Sequence, residues 1–302
     1  MNSIDKLIQL AAVRGNLDLR CSFQGDWALE HDQEPAGVAR YHIVLAGVCQ
    51  AVRPDGTAIT LRAGDILVFV DGEAHRLHSE GHQGAAVKPQ VSHGGLIPLH
   101  RIGSEAGELD ILCGRFLYQR ESLLLGALPK CLKVSSDYPQ TTDQLSALVG
   151  LLRAEADGNQ IGARFLVDTL SSALFAMVVR NYLQHQPPAT GTLALMSDKR
   201  LSRAWQAMLD DPAFEWTIEC LAEHASMSRA TFMRSFVKVA GESPWVLLTR
   251  VRMELAFRLL SDTQLGLTDI ACQVGYQSQA AFGKKFKDFY GTAPGRIRRA
   301  GS

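Results

Sequence analysis

The sequence predicts an α+β chain: a small β-barrel followed by helices, then an all-α C-terminal region carrying two helix-turn-helix units. Three observations predict it. Short β-prone runs separated by turn pairs fill the chain as far as Lys133. Helical periodicity takes over from Thr142, and two segments in the last third repeat one helix–turn–helix pattern. A length of 302 residues suits two domains of ordinary size, and a hydrophobic content of 46% is normal for globular cores.

In chain order, Met1 to Leu10 places its apolar residues at helical spacing between charges, which predicts a short amphipathic helix and not a signal peptide. Strand-like runs follow at Tyr41–Leu45, Ala58–Leu61 and Ile66–Val70, punctuated by Asp55-Gly56, Gly64-Asp65 and Asp71-Gly72. Closely spaced strands of this kind favour a small barrel or sandwich. Ser79 to Gly107 is rich in Gly and His, has little periodicity and reads as a long loop. Leu145, Leu148, Val149 and Leu152 then recur at helical spacing, and a second helix runs from Phe165 to about Gln184. The Pro-Pro stretch after His185 breaks the chain. The expected domains are 1–187, a linker at 188–195, and 196–302.

Composition excludes several classes. No apolar run is long enough for a membrane helix, so no membrane partner is expected. Six cysteines without paired spacing, behind no export signal, predict reduced thiols in the cytoplasm. The net charge is zero, but from residue 193 onward 15 basic residues face 11 acidic ones. A basic C-terminal part on a neutral chain suggests a polyanionic partner there.

The first repeat spans Trp216–Phe236. Ile218, Leu221 and Ala222 form the packed side of one helix, and Ser228 caps a second. Phe232 and Phe236 sit four apart and face inward, leaving Arg229, Ala230, Met233 and Arg234 outward. The second repeat spans Leu267–Lys287. Ile270, Ala271 and Val274 pack, Gly275 allows a tight turn, and Ser278 caps a helix with Phe282 and Phe286 inward. Gln279, Ala280, Lys284 and Lys287 point out. Pro244 to Leu260 makes a helical spacer of about 25 Å at 1.5 Å per residue, which suits two helices entering successive major grooves about 34 Å apart.

The run from Ile270 to Arg298, with its Val-Gly-Tyr, Phe-x3-Phe-Lys and Tyr-Gly-Thr-x-Pro elements, resembles the AraC/XylS family of transcription regulators over roughly the last hundred residues. The resemblance implies double-stranded operator DNA as partner, RNA polymerase beside it, and a homodimer paired through a helix such as Phe165–Gln184. It also implies base reading by Ala230, Met233, Arg234, Gln279, Ala280 and Lys284. With the caps and their neighbours, the expected DNA-contact set adds Ser228, Arg229, Gln277, Ser278 and Lys287. Ala230 and Met233 offer apolar contact to thymine methyls, and glutamine pairs with adenine.

Upstream, Leu61–Leu77 is similar to the second cupin motif, in which a Gly-Asp turn, a strand and a later histidine close a small barrel. In metal-dependent cupins that histidine, here His75, is a ligand beside a His-x-His pair and a Glu. This chain offers His42 but no His-x-His, so no metal, cofactor or enzyme activity is expected; His42 and His75 are the candidate ligands should one bind, and His75 otherwise reads as a satisfied barrel residue. The histidine-rich loop (His78, His82, His93, His100) reads as solvated. Gly15–Trp27 together with Cys113-Gly-Arg-Phe116 resembles the cupin-type sensor of AraC-family regulators of the reactive-chlorine-sensing RclR type. That resemblance implies Cys21 and Cys113 as sensing thiols. Arg20 and Arg115, close by in sequence, are expected to favour the reactive thiolate. Cys49, Cys131, Cys220 and Cys272 read as structural. Two alternatives stay open: control by a small ligand in the barrel, and a cupin enzyme fused to a DNA-binding tail.

Overall fold

In the computed structural model, residues 2–82, 88–103, 107–135 and 139–300 are described. The chain forms two compact units: 13–120 with 128–185, and 1–12 with 121–127 and 186–302.

The first unit is built on β1 (Arg14–Phe23), β2 (Ala28–His31), β3 (Val38–Ala46), β4 (Val48–Val52), β5 (Ala58–Arg62), β6 (Ile66–Phe69), β7 (His75–His78), β8 (Gln90–Ser92), β9 (Leu99–Ile102), β10 (Leu109–Leu117) and β11 (Cys131–Val134). They form a seven-stranded sheet ordered β11-β6-β3-β10-β1-β9-β8 and a four-stranded sheet ordered β2-β7-β4-β5. Period-two alternation aims Cys21, Phe23, Val44, Phe69, Ile111 and Cys113 from the large sheet into a core shared with Cys49, Ala51, Leu61 and Leu77 of the small one. The predicted barrel is present. Within the stretch expected as loop, β8 and β9 form instead, and β9 runs parallel to β1, so tertiary pairing supplied order that local periodicity did not signal. Residues 83–87 and 104–106 of that stretch lie outside the described residues.

The large sheet is buried on both faces because helices cover its outer side. These are α3 (Pro139–Asp157) and α4 (Ala163–His185), close to the two helices expected there. Tyr41 Oη donates to Ser171 Oγ at 3.2 Å, and Phe116 stacks edge-on to Phe175. Gly114 is required at this layer: a Cβ there would lie 2.2 Å from the Asn16 carbonyl oxygen and 2.4 Å from the Tyr41 ring.

The second unit is helical. It gathers α1 (Ser3–Ala11), α2 (Leu123–Gly126), a 3-10 turn at Thr192–Met196, α5 (Leu201–Asp210), α6 (Ile218–His224), α7 (Arg229–Ala240), α8 (Pro244–Asp262), α9 (Leu267–Gln273), α10 (Gln279–Tyr290) and α11 (Pro294–Ala300). The chain passes into the helical unit for good at residue 186, and two earlier segments, 1–12 and 121–127, also belong to it. In α1, capped by Asn2, Leu7 and Leu10 are buried, and Ser3 Oγ donates to Gln206 Oε1 of α5 at 2.7 Å. The 3-10 turn covers the second half of the expected linker and buries Leu193 and Leu195. In α2, Leu123 donates its backbone N–H to the buried Glu254 carboxylate of α8.

Candidate functional site

Two assemblies bring chemistry-bearing side chains together, one in each unit. In the helical unit, α6–α7 and α9–α10 are the same construction made twice. Two residues beyond each first helix the backbone turns left-handed, at Ser226 (φ 53°) and Gly275 (φ 80°). The next residue then bonds back into that helix: Met227 N to Ala222 O at 2.9 Å, Tyr276 N to Ala271 O at 2.8 Å. Gly275 has a second reason to lack a side chain, since a Cβ would meet the Ala213 carbonyl oxygen and the Arg252 guanidinium at 2.8 Å.

Each second helix starts on a serine whose side-chain oxygen accepts the orphan backbone N–H three residues on, Ser228 from Thr231 and Ser278 from Ala281. Each ends at a left-handed glycine, Gly241 and Gly291. The inward pairs Phe232/Phe236 and Phe282/Phe286 are fully buried, with ring centroids 5.5 and 5.6 Å apart.

Burial of one helix face fixes what the other presents. On α7, Arg229, Ala230 and Arg234 are exposed and Met233 is half-buried; on α10, Gln279, Ala280, Lys284 and Lys287 are exposed. Not all of these are idle. Arg229 pairs with Glu219 at 2.8 Å. Thr268 Oγ1 donates to Gln279 Oε1 at 3.0 Å, and Gln277 Nε2 donates to Glu215 Oε1 at 3.1 Å. Arg234, Lys284 and Lys287 form no ion pair among the described residues, so their charge is available to an anion.

In the barrel unit, β1 and β10 are antiparallel neighbours, with Cys21 opposite Ile111 and Cys113 opposite Leu19. The two cysteines are therefore a diagonal pair, both turned into the core and both essentially without solvent exposure. Their thiols act on each other at short range. That interaction, together with burial, holds the Cys21 thiol well above its ordinary pKa. The neighbouring arginines do not act on the thiols as expected. Arg20 is turned onto Asp110 at 2.6 Å and onto Asp157, and Arg115 onto Asp18 at 2.7 Å, because adjacent strand residues face opposite sides of the sheet.

Cys113 instead has a histidine neighbour. His42 on β3 approaches the Cys113 sulfur with Nδ1 at 3.1 Å and reaches His75 Nε2 with its own Nε2 at 2.8 Å. His75 continues the line through Nδ1, which lies 2.7 Å from the Glu73 carbonyl oxygen, and its ring stacks on Phe69. His31 of β2, opposite His75 in register, completes a cluster in which one nitrogen from each ring lies within 4.8 Å of the others. Burial pushes all three imidazoles down, His75 to about 4, which keeps them neutral at physiological pH. These three are the residues placed to hold a metal ion. The sequence pointed to His42 and His75 and missed His31, because nothing in the spacing of residues 31 and 75 announces that β2 and β7 pair. Of the remaining cysteines, burial pushes Cys49 up to about 12 and Cys131 up to about 11, while Cys272 is exposed and no part of the core.

One cavity of about 220 Å³ lies on the other side of the large sheet, lined by Ile43, Leu45, Val134, Leu145, Val149 and Asn181 among others. Asn181 is buried, and its Nδ2 has no hydrogen-bond partner.

Comparison with known proteins places these two assemblies in context. Residues 3–184 match the cupin family Cupin_6, and residues 221–300 match a helix-turn-helix domain family, HTH_18. An uncharacterized HTH-type transcriptional regulator of Haemophilus influenzae is 37% identical over 301 residues, 99% of both chains. The HTH-type transcriptional regulator MtrA of Neisseria gonorrhoeae is 31% identical, covering 100% of this chain and 99% of its own. The RCS-specific HTH-type transcriptional activator RclR of Escherichia coli is 28% identical, covering 99% of this chain and 97% of its own.

Proposed function

The chain belongs to the AraC-type helix-turn-helix transcription regulators that carry a cupin-type N-terminal domain, and on that premise we propose that it is an activator switched by oxidation of Cys21 and Cys113. It is a DNA-binding regulator and not an enzyme. The observation that carries the oxidation reading is the thiol pair itself: two buried cysteines set diagonally on neighbouring strands and turned into one core, with His42 Nδ1 3.1 Å from the Cys113 sulfur.

A buried, apolar-walled pair admits a small uncharged oxidant such as hypochlorous acid more readily than a charged one. That oxidant converts one thiol to a sulfenic acid with release of a proton and chloride. The second thiol then attacks the sulfenic sulfur, forming the disulfide and releasing water. Diagonal strand neighbours typically stand about 7–8 Å apart, beyond the usual Cα separation of a disulfide of about 4.4–6.8 Å. Closing the bond therefore drags β1 against β10. The chain leaving β10 enters residues 121–127, which belong to the helical unit, so the strand shift has a covalent route to the part that grips DNA.

The test is thiol mass spectrometry and an operator-shift assay before and after a hypochlorous acid pulse. We expect the wild type to lose two hydrogens in a Cys21–Cys113 linkage and to change its operator affinity. Cys21→Ser and Cys113→Ser are each expected to abolish both changes. Full induction in both variants would remove the thiols from the mechanism.

For the DNA side, the reading assigns base contact to Arg234 and Lys284, supported by apolar or positioning contacts from Ala230, Met233, Gln279 and Ala280. The caps Ser228 and Ser278, with Arg229, Gln277 and Lys287, lie where the phosphates pass. Arg234→Ala and Lys284→Ala should each weaken operator binding by about 1–3 kcal/mol, measured by titration at fixed salt. Equal loss on operator and random DNA would move that residue from base to phosphate.

A homodimer in the cytoplasm, working beside RNA polymerase, fits the same reading. Val167, Leu174, Phe175, Val178 and Val179 of α4 are buried, but its first turns leave Phe165 73% and Leu166 43% exposed. That edge is the surface offered to a second copy. The cavity beside Asn181 favours a second reading, the same regulator under control of a small, mainly apolar ligand with a hydrogen-bond acceptor for Nδ2. Its site lies outside the barrel core, between sheet and helices. Inducer response preserved in both cysteine variants would select it.

A further inference from the structure

We infer that His31, His42 and His75 form a binding site for a divalent transition metal of the zinc class, with Cys113 outside the coordination shell and hydrogen-bonded to His42. The inference does not depend on oxidation of the thiols.

Cupin metal centres draw on a His-x-His pair, and here the residue two beyond His42 is Val44. The third imidazole comes from a different strand, β2, and the sheet register sets it opposite His75. Three neutral imidazoles converge without a carboxylate among them, a donor set that suits zinc, copper or nickel and not calcium or magnesium.

Hydrogen bonding fixes which nitrogens are on offer. With its Nδ1–H donated to the Glu73 carbonyl, His75 carries its lone pair on Nε2, facing the cluster. His42 reaches that atom with Nε2. In His31, Nε2 is buried and has no hydrogen-bond partner. An orphaned nitrogen on a ring that lies 4.9 Å from His42 and 4.7 Å from His75, centroid to centroid, is costly unless something pairs with it, and a cation with an affinity for imidazole does so. Arg40, the cation whose field reaches the cluster, is paired with Glu34.

Bonds of about 2.0–2.1 Å in a tetrahedral site hold ligand nitrogens about 3.3 Å apart. His42 and His75 start at 2.8 Å, and no pair of the ligand atoms exceeds 4.8 Å. The adjustment is thus a side-chain rotation of order an ångström, within reach of β2 at one end of its sheet.

Occupation also reverses one hydrogen bond. Without the ion, the only consistent proton order along the line is Cys113 S–H to His42 Nδ1, His42 Nε2–H to His75 Nε2, and His75 Nδ1–H to Glu73. With the ion on Nε2, His42 must carry its proton on Nδ1 and donate it to the Cys113 sulfur, as metal-bound histidines donate their second nitrogen to an outer partner. The ion therefore writes its presence onto one sensing thiol without touching it.

The experiment is titration of the reduced, full-length protein with Zn²⁺, and with Co²⁺ as optical reporter. We expect one ion per chain and tetrahedral Co²⁺ bands without a sulfur-to-cobalt charge-transfer band. His31→Ala and His75→Ala are expected to lower affinity by about tenfold or more, while Cys113→Ser keeps the one-to-one stoichiometry. His78→Ala, on the same strand as His75 but outside the cluster, should change nothing. No binding by the wild type, or binding unaffected by both His31→Ala and His75→Ala, overturns the site. A sulfur charge-transfer band overturns the outer placement of Cys113. If His75→Ala fails to fold by circular dichroism, His31→Gln, at the less buried position, decides by the same affinity criterion.

Discussion

Phe282→Ala is expected to cost about 3–5 kcal/mol of stability in the helical unit, the range for emptying a buried phenylalanine site. Phe282 has no solvent exposure and packs among Met253, Ala256, Ile270, Ala271, Val274 and Phe286. These residues come from α8, α9 and α10, so the ring joins the second helix-turn-helix to the spacer helix. Neighbouring rings cannot refill the space, because Phe286 lies one turn along with its centroid 5.6 Å away and Tyr276 is held 6.0 Å away. Denaturant unfolding followed by far-ultraviolet circular dichroism should show the helical signal lost at a lower midpoint. Operator binding should fall with it, although Phe282 faces away from the exposed residues of its helix. A loss below about 1 kcal/mol would mean that α10 does not depend on this core.

The helical unit was legible because its structure is written in local rules. A serine that caps, two phenylalanines four apart and a glycine at the turn each act over less than two helical turns, and the second repeat confirms the first. What differed was the turn chemistry of the first repeat: Ser226 takes the left-handed conformation that Gly275 takes in the second, a strain no propensity rule assigns to serine. The barrel was legible in kind but not in register. Cys21 and Cys113 are separated by most of the barrel sequence, and their contact exists only because β1 pairs with β10. His31 illustrates the same limit. Its role is set by a strand pairing across 44 positions, and no local pattern carries that information. The arginine expectation failed for a related reason, since neighbours along a strand point to opposite faces.

Stability of the wild type is expected to fall between about pH 4.5 and pH 8, and Glu254→Gln to remove most of that slope. Glu254 sits in the middle of α8 with no solvent exposure. Burial pushes its carboxyl up to about 8, against the opposing pull of the Leu123 N–H that it accepts and of the Arg250 charge. The other carboxylate oxygen, Oε2, has no hydrogen-bond partner. A carboxyl whose folded pKa lies above its unfolded value holds a proton that the unfolded chain has released. Its contribution is therefore full below about pH 4.5 and is lost as the pH rises through about 8. Each unit of that window is worth about 1.4 kcal/mol, so the whole window amounts to about 5 kcal/mol as an upper bound. Glutamine keeps an acceptor for Leu123 and never ionises. Its variant should match the wild type near pH 5 and exceed it near pH 8 by several kcal/mol. Thermal melts of both proteins at pH 5, 6.5 and 8 read the difference directly, and parallel curves would show that Glu254 is ionised in the folded chain throughout. Because Leu123 belongs to the segment that leaves the barrel strands and returns to them, ionising Glu254 loosens the helical unit where the barrel chain enters it. Operator affinity in the wild type should then weaken on the same pH limb, and the glutamine variant should be spared.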